Sequence, residues 1–162
     1  GIAVNEDQMA LATLDETILF HKNKELANKY PNAPKTFEAL YMPRITYHTG
    51  MLDLHDLSYG KENDLFAVNT LFSCISKFSS QYSFQPFWQP SFISELEPED
   101  RCHLNGMALK NGTPKFVTAL SKTNTPFSWR ENINKGGVLI DVETNSSQEL
   151  QLSKTQLNSL QS

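Results

Sequence analysis

Two stretches of the chain echo each other 50 residues apart. His55-Asp56-Leu57-Ser58-Tyr59-Gly60, followed by Leu65-Phe66-Ala67-Val68-Asn69-Thr70, returns as Asn105-Gly106-Met107-Ala108-Leu109-Lys110, followed by Lys115-Phe116-Val117-Thr118-Ala119-Leu120. Leu57 corresponds to Met107 and Phe66 to Phe116. Short apolar runs of β type at such a period are the signature of one propeller blade after another. The expected fold is therefore all-β: a partial β-propeller of about three blades, an open arc with a polar C-terminal tail.

The spacing of the remaining β-type runs fits that frame. Met9–Thr13 resembles the Leu65–Thr70 and Lys115–Leu120 runs, and each is followed by a second one: Thr17–Phe20, Ser73–Phe78 and Gly137–Asp141. Breakers mark the turns, among them Asn111-Gly112, a hairpin signal that the nearby Pro114 lengthens into a loop. Lys22–Tyr30 has the composition of two helical turns, stopped by Pro31 and Pro34. Residues 79–100 read as a long connection whose Phe84, Phe87, Trp88, Phe92 and Ile93 must pack on the sheet. Ser121–Lys135 is a further insertion between two neighbouring strands. Residues 1–145 thus read as the propeller-like segment. Residues 146–162, rich in Gln, Ser, Leu and Asn, read as a polar tail, helical or disordered.

Composition narrows the function classes. The 162 residues carry a net charge of −4 with no basic cluster, which argues against nucleic acid as a partner. No apolar run approaches the ~20 residues of a membrane helix, and no secretion signal is visible, so a cytoplasmic location is expected. Cys74 and Cys102 then read as reduced thiols. A Cys2His2 zinc set with His55 and His103 lacks the close ligand pairs that zinc sites show. Cys102, flanked by Arg101 and His103, has the neighbours of an activated thiol.

The chemistry-bearing residues cluster where loops enter the inner strands. Such loops converge near the axis of a propeller, so His55, Asp56, His103 and Asn105 become candidate neighbours. His55, Asp56 and His103 are the catalytic candidates, because imidazole beside carboxylate serves acid–base work. Asp56 and Asn105 are the candidate metal ligands, with calcium favoured over zinc as a divalent cation. The competing reading is structural: buried Asp and His hydrogen-bond to backbone or to a Trp or Ser and hold blades together. Arg44, Asn69, Arg101, Asn105 and Arg130 are candidate ligand-binding residues, the arginines because a guanidinium beside an aromatic suits an anion or a planar group. Glu95, Glu97, Glu99 and Asp100 lack the order of a calcium loop and read as a solvated acidic loop.

A family resemblance is carried by Tyr41-Met42-Pro43-Arg44, Thr49–Asp56, Val68–Cys74, Phe92-Ile93, Pro98–Gly106, Trp129-Arg130-Glu131-Asn132 and Gly136–Asp141. Over roughly residues 1–145 the chain resembles a bacterial family of conserved hypothetical proteins, a domain of unknown function often found beside tetratricopeptide repeats. The resemblance implies a propeller-like fold and no established activity. It also implies a longer domain, of which this chain is a fragment, departing from the family pattern at Ser146. A second, shorter similarity, His103–Leu109 with Asn111-Gly112, resembles the blade start of gluconolactonase-type propellers and implies Asn105 as a calcium ligand.

Three functions follow as expectations. The first is an interaction or ligand-binding module, the second a metal-assisted hydrolase of the lactonase type, and the third a scaffold piece of a larger assembly. An open arc leaves the faces of its end blades bare, so a protein partner or further blades are expected against them.

Overall fold

The computed structural model describes residues 1–133 and 137–150. The chain builds three four-stranded antiparallel sheets in sequence order. Sheet 1 holds β1 (Ile2–Val4), β2 (Gln8–Ala12), β3 (Glu16–Asn23) and β4 (Leu40–His48). Sheet 2 holds β5 (Leu54–Tyr59), β6 (Leu65–Asn69), β7 (Cys74–Lys77) and β8 (Gln85–Trp88). Sheet 3 holds β9 (Leu104–Lys110), β10 (Thr113–Ala119), β11 (Gly137–Asp141) and β12 (Ser147–Leu150). Each sheet is a meander, ordered first strand to fourth. The first strands lie side by side, with β5 between β1 and β9. This is an open arc of three propeller blades, as the repeat requires.

The sheets stack face to face through two separate apolar layers. Ala3, Ala10, Ala12, Leu19 and Tyr47 of sheet 1 meet Leu57, Leu65, Ala67 and Phe78 of sheet 2. Phe66, Val68 and Ile75, on the other side of sheet 2, meet Leu104, Val117, Ala119, Val138 and Ile140 of sheet 3. Strand alternation sends successive residues of β6 to opposite layers, so all five are buried.

Several local expectations are corrected. The Asn111-Gly112 turn is a tight two-residue hairpin, both residues at positive φ (54° and 75°) with Lys110 opposite Thr113. Pro114 does not lengthen it, but enters β10 beside a register shift. The helix expected over Lys22–Tyr30 shrinks to α1 (Lys24–Asn28), because β3 runs on to Asn23. The Asn23 carboxamide caps that turn, accepting from the Leu26 N–H at 2.9 Å. The connection 79–100 contains β8, with Pro86 tolerated on an outermost strand. The tail is neither helical nor disordered at its start. Ser147–Leu150 pairs with β11 and completes sheet 3, because the turn after Asp141 is closed by its own carboxylate, which accepts from the Glu143 and Thr144 N–H groups at 3.0 Å each. Residues 151–162 lie outside the described residues, as does Lys135 at the end of the expected insertion.

At one end of the inner strands, the turn after β5 and the β9–β10 hairpin touch. The Lys61 N–H donates to the Gly112 carbonyl at 3.1 Å. A Cβ on Gly60 would sit 2.5 Å from that same carbonyl oxygen, so glycine is needed there.

Candidate functional site

The opposite end of the inner strands collects the polar residues. Asp53, just before β5, and Asp100 and His103, just before β9, all adopt left-handed backbone (φ 52°, 43° and 52°). Non-glycine residues take that conformation at a cost, which the surrounding packing must hold. The result places His55 of β5 and His103 edge to face, ring centroids 4.8 Å apart and planes at 80°.

Each histidine has its own carboxylate. His55 Nε2 lies 3.2 Å from Asp53 Oδ1, and its Nδ1 lies 3.3 Å from the side-chain oxygen of Asn105. His103 Nδ1 lies 2.8 Å from Asp100 Oδ2. The same Asp100 oxygen accepts from Trp129 Nε1–H at 2.8 Å, and the Trp129 indole lies against the His103 ring at 4.2 Å. In the tautomer that donates Nδ1–H to Asp100, the lone pair of the His103 ring lies on Nε2. Asp100 is buried, and its Oδ1 has no hydrogen-bond donor among the described residues. The Asp53 carboxylate is half exposed (51%) and the His55 side chain less so (28%). Arg130 covers the rim, its guanidinium 5.2 Å from both the Trp129 and Phe127 rings.

The structure therefore brings together His55, His103 and Asn105 of the residues singled out from sequence, with Arg130 alongside. Others go elsewhere. Asp56 turns into the junction between sheets: Oδ1 accepts from the Leu57 N–H and Oδ2 from the Met107 N–H, each at 2.9 Å. It straps β5 to β9. Asn69 is fully buried, donating to Ser76 Oγ at 3.2 Å and accepting from the Phe72 N–H at 3.1 Å. Arg44 is exposed on β4, the outermost strand of sheet 1.

Arg101 is buried in the loop before β9, not offered to a ligand. Its Nε donates to Glu99 at 2.8 Å, and the other nitrogens reach Ser94 at 3.0 Å, Asn124 at 3.2 Å and Glu95 at 3.6 Å. Hydrogen bonding to Glu99 raises its pKa above the already high guanidinium value, so it stays charged. The acidic loop is thus tied down in part by its own arginine, where full solvation was expected for Glu95 and Glu99.

Of the two expected cation ligands, Asp56 is committed to two backbone N–H groups, while Asn105 lies at His55. Among the described residues no group of three or more His, Cys, Asp or Glu is arranged to hold a metal ion. Burial pushes the Cys74 thiol up to about 11 and the Cys102 thiol up to about 12, which removes Cys102 as an activated nucleophile.

Sequence reasoning missed Asp53, Asp100 and Trp129 as partners. The signal was present as an acid two residues before His55 and three before His103, both directly ahead of an inner strand. Trp129 stands in the Trp129-Arg130-Glu131-Asn132 motif of the resemblance, but no spacing pairs it with Asp100, because it arrives from the insertion between β10 and β11.

No helix among the described residues is long and apolar enough to cross a membrane. No curated protein and no solved structure matches the chain. A family model does match it, over residues 1–154, and therefore past the expected boundary at 145. It is described as a domain of unknown function (DUF4915), and the chain belongs to that family.

Proposed function

We propose that the chain is a ligand-binding propeller module and that its ligand sits where the entry ends of β5 and β9 meet. The supporting observation is the double pairing: two adjoining imidazoles, each held by an aspartate, on neighbouring inner strands. Its free groups are mostly acceptors. Asp53 offers a half-exposed carboxylate and His103 offers Nε2. A site rich in acceptors suits a ligand rich in donors, and a small polyhydroxylated molecule is the class that fits. Asp100 and Trp129 are positioning residues here: they fix the ring and tautomer of His103 from behind.

The test is a titration of the 15N-labelled chain with a panel of monosaccharides and polyols, read at the imidazole resonances. The expected result is saturable shifts at His55 and His103. They should vanish in His103→Phe, which keeps a ring against Trp129 but has no Nε2, and persist in Asp141→Asn. Saturable binding that leaves both imidazoles unmoved, or no binding across the panel, would reject this reading.

A further inference from the structure

The two arginines of the loops around the site are used in opposite ways. Arg101 is buried, and its guanidinium is taken up by Glu99, Glu95, Ser94 and Asn124. Arg130 is exposed, and among the described residues its guanidinium meets no carboxylate, not even that of Glu131 beside it. Residues 134–136 and 151–162 contain no aspartate or glutamate.

This unpaired cation is nevertheless held in place. Its guanidinium lies 5.2 Å from both the Phe127 and Trp129 rings. Phe127 adopts left-handed backbone (φ 52°), and among the described residues it is the one apolar side chain to do so. That conformation is strained for a bulky residue. Core packing does not explain it, since Phe127 is 44% exposed and belongs to neither apolar layer. What the conformation achieves is a ring set against Arg130. Backbone bonds fix the rest of the turn. The Phe127 N–H donates to the Glu99 carbonyl, the Ser128 N–H to the Thr125 carbonyl and the Arg130 N–H to the Phe127 carbonyl, each at 3.2 Å. Glu99 directly precedes Asp100, so the arginine is tied to the loop that carries the His103 partner.

The indole that carries Arg130 is also the one that lies against His103 at 4.2 Å and donates to Asp100. A fixed positive charge therefore stands one ring away from an imidazole, beside groups that are mostly acceptors. We propose that Arg130 receives a carboxylate of the ligand, so that the ligand is a polyhydroxylated carboxylate, a sugar acid whose hydroxyls face Asp53 and His103. This inference rests on the ligand reading above. A guanidinium matches a carboxylate with two parallel hydrogen bonds, and stacking on two rings spares rotamer entropy that a loose arginine would lose on binding. A carboxylate is favoured over a phosphate because the half-exposed Asp53 carboxylate shares this end of the strands, and a doubly charged ligand group would be repelled more strongly.

Matched pairs of compounds test it: D-glucuronate against D-glucose, and D-galacturonate against D-galactose, titrated into the 15N-labelled chain at constant ionic strength. In any pair that binds, the acid should bind about tenfold more tightly than the neutral sugar, or better, the usual size of a hydrogen bond to a charged group. Arg130→Gln should abolish that preference and leave the affinity for the neutral sugar unchanged. Arg130→Lys, which keeps the charge and loses the fork, should fall between. Both variants should keep the far-ultraviolet spectrum of the parent, because the side chain is exposed. Acids that bind no better than their neutral partners, while both shift the imidazoles, overturn this inference and leave the ligand reading standing. A preference that survives Arg130→Gln overturns it as well, as does tighter binding of phosphorylated glucose than of either acid. Silence from every compound, or binding that leaves both imidazoles unmoved, rejects the ligand reading and this inference with it.

Discussion

Sheet 2 and its two neighbours are built from similar runs, yet they are buried very differently. Along β6 all five residues are buried. Along β2 only Ala10 is, and along β10 buried and open residues interleave. Intrinsic strand preference does not explain this, since Leu-Phe-Ala-Val and Phe-Val-Thr-Ala are equally suited to a strand. The difference is the number of covered faces. A blade in the middle of the arc has two, and a blade at the end has one. Stability in such a fold is a sum over neighbour contacts, so it should be greatest at the centre and fall away on both sides.

The largest test of that contrast is a pair of truncations. Ile75 is fully buried between sheets 2 and 3. Ile75→Ala should cost about 2–5 kcal/mol, the usual loss for emptying a core isoleucine site. Ile18→Ala, on the open face of sheet 1, should cost about 1 kcal/mol or less when measured at concentrations too low for association. Urea midpoints would report both. Equal losses would mean that the face of sheet 1 is covered by something else and that the centre-to-end gradient does not exist.

The contrast also explains what could be read in advance. The 50-residue echo and the alternation of apolar residues were enough to place the two middle strands of each sheet and the first strands of sheets 2 and 3, because both are properties of the local chain; β1 and β4 of sheet 1 were not marked. β8 escaped notice since its four residues, Pro86 among them, are mostly exposed and carry no core pattern. β12 escaped because Ser147–Leu150 is exposed along its whole length and is held by register with β11 alone. The site was half legible. His55 and Asn105 follow from the repeat, which brings equivalent strand starts together. Asp56 looked equally apt, yet the course of its backbone turns the carboxylate onto the Met107 N–H. Which way a side chain leaves a strand start depends on the left-handed residues before it, Asp53 and His103, and the sequence does not announce those.

A middle-sized effect is expected at the strap between the sheets. Asp56→Ala leaves the Met107 N–H without its acceptor, a loss of about 1–3 kcal/mol for a part-buried group. The damage should be directional. Amide exchange should quicken at Met107 and along β9, while β2 keeps its protection, because sheet 1 is joined to sheet 2 by other contacts, including the Gly1 amino group on the Leu54 carbonyl at 3.1 Å. Equal quickening in both end sheets would show that Asp56 supports the whole arc and not one junction.

The smallest effect lies on the rim of sheet 3. Lys115 reaches Asp141 at 2.9 Å and Glu143 at 2.9 Å. The bond to Lys115, helped by the Thr144 N–H, lowers the Asp141 pKa below the ordinary aspartate value. Asp141 and then Glu143 raise that of Lys115 above 10.5. A depressed carboxylate pKa contributes stability that is complete above the unfolded value and fades as pH falls through the folded one. A raised ammonium pKa contributes stability that is complete below the unfolded value and fades as pH climbs through the folded one. The pair therefore supports the fold across a plateau bounded by the ordinary aspartate and lysine values, and weakens on either side. Solvent screens such a pair, so Asp141→Asn should change the melting temperature at neutral pH only slightly. Its mark should be a flatter acid limb, since the group whose protonation loosens sheet 3 has been removed. An acid limb as steep as that of the parent chain would assign the loss to other carboxylates.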